Sequence, residues 1–399
     1  MTVVAEPTTP PDGPRALGSD EWPLLDHLVS TVFRPEMFHD YPQLFNASNR
    51  ANLRVIREGG QLVTHVGFTI RPAVLLGPVI TVACIGAVAT APEARGRGLG
   101  SVCVQDAFDH ASASGVDLMM ISGGRGLYTR VGCREVGADH RFTLEAGNAA
   151  SRRAVTRPGL TLVPLTAHDI PALGAIHERE AVRFVRPRDD WERAFDCGIV
   201  MNTPSDFWGV SDGSGTVAYV VVHRPDRVRN RKDGDVLFVR VVEHAGSRDA
   251  VAHALSALID QYGAGRAEVH VGGHDADLGR VLRHAGLQGV PEPSSGTIRV
   301  IDFPGLMGKV RPLIAGRIGH DLASRLVFEA DERAGNARGG FTIGDGSRTI
   351  RLADHGALGP WLFGDPGDTH PEPDGDRSLA AELALALPLP ALWYGVNYV

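Results

Sequence analysis

The sequence predicts a multidomain protein of α/β and α+β class, and three observations carry that prediction. Its 399 residues exceed what one ordinary core accommodates. Strand-like and helix-like stretches alternate over residues 20–145 and repeat part of that order over 158–296. After "PEPSSG" the composition changes again. The chain therefore divides into a flexible tail (1–18), a first domain (19–150), a second domain (151–296) and an α+β third domain (297–399).

In the first domain, "DEWPLLDHLVSTVF" reads as a capped amphipathic helix, and "NLRVIRE" and "QLVTHVGFTIRPAVLLG" as strands joined by the tight turn "EGG". "VITVACIGAVAT" is apolar on both faces and belongs at the centre of a sheet. "LGSVCVQDAFDHASASG" follows as a helix packing Leu99, Val102, Cys103, Ala107 and Ala111 on that sheet. "VDLMMIS" is a buried strand, "GLYTRVG" a short segment and "HRFTLE" the closing strand. The second domain offers "TVAYVVVH", "DVLFVRVVEH", the helix "SRDAVAHALSALIDQYG", the strand "RAEVHVG" and the helix "DADLGRVLRHAG". The third begins with "TIRVIDFPGLMGKVRPLIAG", a strand then a helix. It continues through the short strands "RLVFEA", "GGFTIGD" and "TIRLADHG", and a late helix lies in "DRSLAAELALALPLP".

Composition narrows the class. Hydrophobic residues make up 43% and charged residues 22%, and no apolar run is long enough to cross a bilayer. The start of the chain lacks a basic segment followed by an apolar core, so a cytoplasmic location is expected. The net charge of -7 argues against general nucleic-acid binding. The basic cluster of Arg227, Arg229, Arg231 and Lys232 reads as a solvated loop. Cys84, Cys103, Cys133 and Cys197 form no CxxC pair and read as free thiols. His65 reads as a satisfied core histidine, and no metal site is expected, since His270 and His274 straddle a strand and a loop. No GxSxG nucleophile motif occurs.

The chemical signal is "APEARGRGLG", residues 91–100, between the central strand and its helix. A glycine-rich turn there aims backbone N–H groups and the positive end of a helix dipole at one point, which favours phosphate. A P-loop needs a Lys before Ser101, and there is none. A dinucleotide loop fails as well, because the third glycine counted from Gly96 and Gly98 falls on Ser101. What remains is Arg95, two residues, then Gly98-Leu99-Gly100, or else a turn that merely reverses the chain. That Arg-x-x-Gly-x-Gly pattern resembles the acetyl-CoA loop of the GNAT acetyltransferase superfamily. The resemblance implies a pyrophosphate held by Arg95, Gly96, Arg97, Gly98, Leu99, Gly100 and Ser101. It also implies a pantetheine arm along the backbone of Val88, Ala89 and Thr90, with Gly123 and Gly124 beside the cofactor.

A second signal is "GGRGLYTRVG", residues 123–132. Acyl transfer from a thioester expels a thiolate, and a phenol of pKa ~10 can protonate a thiol of pKa ~8.5. Tyr128 occupies the position where many GNAT enzymes carry this tyrosine; a buried core tyrosine is the plain alternative. The three-part layout resembles the enhanced-intracellular-survival acetyltransferases: a GNAT domain, a degenerate GNAT-like domain without the cofactor loop, and a sterol-carrier-protein-like domain. That resemblance implies a homo-oligomer, a ring of six, acting on small-molecule primary amines such as polyamines and aminoglycosides. It also implies that the α-carboxylate of Val399 reaches the active site as base; the alternative is an apolar tail that only packs. Such a carboxylate starts near pKa about 3.5, and burial raises it. The family often carries an acidic residue where this chain has Gly123 and Gly124. The expected activity is thus acetyl-CoA-dependent N-acetyl transfer, by direct attack and with no metal, to a primary amine that is a polyamine, an aminoglycoside-like molecule or a lysine side chain, the rival being a non-catalytic protein that binds acetyl-CoA and an apolar ligand.

Overall fold

The computed structural model describes residues 10–399 apart from 125, 228–235, 295, 332–338 and 366–370. The first region runs β1 (Asp12–Ala16), α1 (Trp22–Val32), α2 (Met37–Asp40), β2 (Leu53–Glu58), β3 (Gln61–Leu75), β4 (Val79–Thr90), α3 (Leu99–Ala113), β5 (Leu118–Ile121), α4 (Gly126–Arg130) and β6 (Asp139–Glu145). Next come α5 (Ala149–Val155), β7 (Thr161–Pro164), α6 (Ile170–His177), β8 (Val182–Phe184), α7 (Arg188–Cys197), β9 (Ile199–Val200), β10 (Thr203–Ser211) and β11 (Thr216–His223). They are followed by β12 (Phe238–Gly246), α8 (Arg248–Tyr262), β13 (Arg266–Val271), α9 (Ala276–His284) and β14 (Gly289–Glu292). The last region holds β15 (Thr297–Val300), α10 (Phe303–Ile318), α11 (His320–Arg325), β16 (Val327–Ala330), β17 (Phe341–Gly344), β18 (Thr349–Leu352), α12 (His355–Phe363), β19 (Asp374–Gly375) and α13 (Arg377–Ala384).

Among the described residues three sheets form. The first has the order β1-β2-β3-β4-β5-β15, with β8 also on β3; the second is β14-β6-β13-β12-β11-β10-β7; the third is β16-β17-β18-β19. Glu58 pairs with Gln61 across Gly59 and Gly60, both at positive φ, so "EGG" closes a two-residue hairpin. The apolar "VITVACIGAVAT" lies inside the first sheet between β3 and β5, as its two-faced hydrophobicity requires.

The structure departs from the sequence reading at four places. Residues 12–16, assigned above to the tail, form β1 on β2, where Arg15 is tied to Glu21 (2.8 Å). That same Glu21 precedes α1 without capping it through its side chain, and Pro23 opens the helix. On α3 it is Cys103, Val104, Ala107, Phe108 and Ala111 that are buried, while Val102 is 50% exposed, one residue off the inward stripe.

The fourth departure is the largest. Strand β6, read as closing the first domain, pairs with β13 in the second sheet, and β15, read as opening the third, pairs with β5 in the first. The two halves have exchanged strands. All four residues of β5 are buried and need a partner on their open edge; the equally buried Thr297–Val300 supplies it. Lys309 on α10 reaches Asp117 (2.6 Å), which also accepts the Thr81 N–H, so the last region is anchored to the first sheet. Of the basic cluster, Arg227 pairs with Asp226, and Arg229, Arg231 and Lys232 lie outside the described residues.

Candidate active site

The site begins where two parallel strands part. The β4–β5 ladder runs from Val82–Leu118 to Ile85–Ile121 and stops, so Gly86 to Thr90 have no partner on that side. On the other side β4 stays paired with β3, but His65 faces Ala89 while Gly67 faces Gly86: β4 carries one extra residue. Ala87 sits in this bulge at φ 52°, left-handed backbone that a non-glycine adopts only when its surroundings hold it there. The holder is His65. Its Nδ1 lies 2.8 Å from the Ala87 carbonyl, and burial drives its pKa down to about 4, so the ring is neutral and Nδ1–H donates. His65 is therefore satisfied at one nitrogen only; Nε2 is buried without a partner.

A cavity of about 720 Å³ opens at the parting, and Val88, Gly123, Tyr128 and Val399 all line it. Tyr128, on α4, is buried. Val399 is 3% exposed and lies directly on Gly86: a Cβ added there would overlap its carbonyl carbon. Among the described residues no ion pair engages the Val399 carboxylate.

The other expected site residues stand beside this cavity rather than in its wall. Ala89 and Thr90 continue β4 outward, and Arg95 Nε donates to the Thr90 carbonyl (3.2 Å). Gly96 and Gly98 have φ of 75° and 79°, with no atom within 4 Å of where a Cβ would stand. The loop is thus an uncrowded cradle. Gly98 precedes α3, whose first-turn N–H groups at Leu99 and Gly100 have no acceptor inside the helix, while Ser101 N–H turns back to the Gly98 carbonyl. Arg97 is committed to Glu58 through two bonds (2.6 and 2.8 Å), which leaves Arg95 as the cation available to the loop. Gly124, next to Gly123 in the chain, faces Glu135, and both line a separate cavity with Thr129 and Cys133.

Sequence reasoning missed several wall residues. Tyr41 and Arg34 come from the stretch around α2, and Asn202 from the second region, where its side-chain Oδ1 accepts from the Tyr41 hydroxyl (2.9 Å). Met201 and Asn202 both have positive φ, as a two-residue hairpin turn demands, and an Asn in such a turn is a readable signal. Burial pushes the Tyr41 phenol up to about 12. The cysteines supply no nucleophile: burial raises the Cys84, Cys103 and Cys133 thiols to about 12. Among the described residues no cluster of metal-ligating side chains occurs, and His270 is instead held by Asp139 (3.0 Å) and Glu292 (2.9 Å).

The first region thus joins a parted parallel pair, a bulge, and a glycine cradle leading into a helix. Residues 14–136 match the acetyltransferase (GNAT) domain. The first region is a GNAT acetyltransferase domain. With it the chain is an acyltransferase. No curated protein matches the chain. Among solved structures, a probable N-acyltransferase from Enterococcus faecalis is similar at 14% identity and TM-score 0.63, over 94% of this chain and 97% of that one. A GCN5-related N-acetyltransferase from Anabaena variabilis is similar at 13% identity and TM-score 0.60 (88% and 89% covered). Eis1 from Mycobacterium abscessus is similar at 18% identity and TM-score 0.55 (88% and 89%). At such identities the likeness is one of fold, and it covers 88–94% of this chain. No described helix is long and apolar enough to cross a membrane.

Proposed function

We propose that the chain is an acetyl-CoA-dependent N-acetyltransferase of the enhanced-intracellular-survival type, acting on a small-molecule primary amine. In this reading its second region is a GNAT-like domain without a cofactor loop and its third a sterol-carrier-protein-like domain. The observation that carries the proposal is one cavity, at the parting of β4 and β5, that holds both the Tyr128 phenol and the end of the chain at Val399. The residues fit the cosubstrate. Gly96 and Gly98 leave room against the backbone for a pyrophosphate, with the N-terminus of α3 and Arg95 adding positive charge. Val88, Ala89 and Thr90 offer an unpaired strand edge to an extended arm, and Gly123 and Gly124 give backbone beside it.

The cosubstrate supplies a thioester whose carbonyl carbon an amine attacks with loss of thiolate. Tyr128 donates its phenolic proton to the departing sulfur, and the Val399 carboxylate accepts the proton that the amine nitrogen must lose. Proton return from the carboxylic acid to the phenolate through water completes the cycle. The test is turnover on a panel of primary amines, followed as free thiol. Tyr128→Phe should lower kcat by about 10²–10⁴-fold, the usual worth of a general acid, with acetyl-CoA affinity unchanged. Three residues appended after Val399 should lower kcat as well. Full activity in the extended chain removes Val399 from the mechanism, and acetyl-CoA binding without turnover on any amine leaves a binding module.

A further inference from the structure

The second sheet contains a parting of its own. Strands β12 and β13 run parallel from Phe238–Arg266 to Val241–Val269 and then separate, and β12 carries one extra residue, Val242, against β11. This is the arrangement of β4 and β5, without a glycine loop after it. Its wedge is filled by the tail of the same chain. The Trp393 indole N–H donates to the Val242 carbonyl (2.6 Å), and the ring stacks on His270 at 3.5 Å and 23°. Val242 and His270 are the first residues past the last pair on each strand, so the indole spans the fork.

Three residues further on, Val396 N–H donates to Glu243 Oε2 (2.8 Å), and the Asn397 side chain accepts from Arg186 (2.7 Å). Glu243 and Arg186 are themselves joined by two bonds of 2.9 Å, and Tyr219 donates to Glu243 (2.7 Å). Gln43 of the first region donates to the Val396 carbonyl (3.0 Å). The chain then passes to Val399, which lies on Gly86, the first β4 residue past the last pair of the first fork. One tail therefore occupies the same structural point in both sheets.

We propose that the fork of the second sheet is a dock for the chain's own tail, and that Trp393 and Glu243 are positioning residues that set Val399 over Gly86. The proposal rests on the reading of Val399 as a participant in acyl transfer. A dock fixes the carboxylate's distance from the acceptor nitrogen without contacting any reactant, and displacements of an ångström at a reacting centre are costly in rate.

The test uses the full chain with Trp393→Ala, Trp393→Phe and Glu243→Gln, reading amide hydrogen exchange of residues 394–399, kcat on a primary amine, and the acetyl-CoA dissociation constant by calorimetry. Trp393→Ala and Glu243→Gln should speed exchange of the tail at least tenfold and lower kcat at least tenfold, with the dissociation constant within twofold of the wild type. Trp393→Phe, which keeps the stack on His270, should recover most of kcat. Unchanged tail exchange in both Trp393→Ala and Glu243→Gln overturns the dock, and so does weakened acetyl-CoA binding with a tail that stays protected. A released tail with full turnover overturns the positioning role. Deleting Val399 then separates the two failures: if turnover falls, only the dock is wrong, and if turnover persists, the reading of Val399 is wrong too.

Discussion

The two forks of this molecule are built alike and furnished differently. Each is a pair of parallel strands that part after four paired positions beside a bulge, followed by a helix. In the first, the residue past the last pair is Gly86, the connection to the helix carries Gly96 and Gly98 at positive φ, and a cavity of about 720 Å³ remains. In the second, that position is Val242, the connection is the short Ser247-capped entry to α8, and an indole fills the gap. The difference teaches that the parting belongs to the fold, whereas ligand binding depends on what the missing or added side chains leave open.

The strongest way to break the comparison is to make the first fork resemble the second. Gly86→Val places side-chain atoms where Val399 now lies, so turnover on a primary amine should fall on the order of 10²-fold, as for misplaced catalytic groups. Acetyl-CoA affinity should change far less, because the cradle is at Gly96 and Gly98. Turnover within threefold of the wild type would refute the account of Gly86 as the seat of the chain terminus.

A smaller effect is expected at the second fork. Arg186 is almost fully buried, stacks over Trp191 at 4.1 Å and pairs with Glu243. Burial alone would raise the Glu243 pKa, but the adjacent guanidinium holds it at about 2. Arg186→Met strands that carboxylate and should cost about 3–5 kcal/mol in denaturant unfolding. The double variant Arg186→Met with Glu243→Leu should recover part of this.

The smallest effect is a pH dependence. Burial disfavours charge on His270, but Asp139 and Glu292 on its two ring nitrogens raise its pKa above the ordinary value. A raised folded pKa means that this contribution is complete below the unfolded value of about 6.5 and fades as pH rises through the folded one. The Trp393 stack should therefore loosen from neutral toward alkaline pH, seen as faster tail exchange, and His270→Asn should flatten that profile.

How much of this was legible in the sequence depends on range. The loop at 95–101 could be read because strand, turn and helix are contiguous and glycine marks the left-handed positions. The partners of β6 and β15 could not, because edge pairing is decided across more than 120 residues, and neighbours in sequence supply only a prior. The bulge at Ala87 was hidden, since an alanine gives no hint of positive φ and its holder, His65, looks like any core histidine. Gly86 left a trace, a glycine inside a strand, which commonly marks close approach of another backbone. The apolar tail could be read as one that packs, but nothing local pointed to the fork that Trp393 enters.

The strand exchange carries a consequence for synthesis. Translation proceeds from the amino terminus, and β5 cannot acquire its neighbour until Thr297–Val300 has been made, after the entire second sheet's own strands. The first sheet thus keeps an open edge through about half of the chain's time on the ribosome, and a nascent chain halted before residue 297 should engage chaperones that recognise unpaired strands.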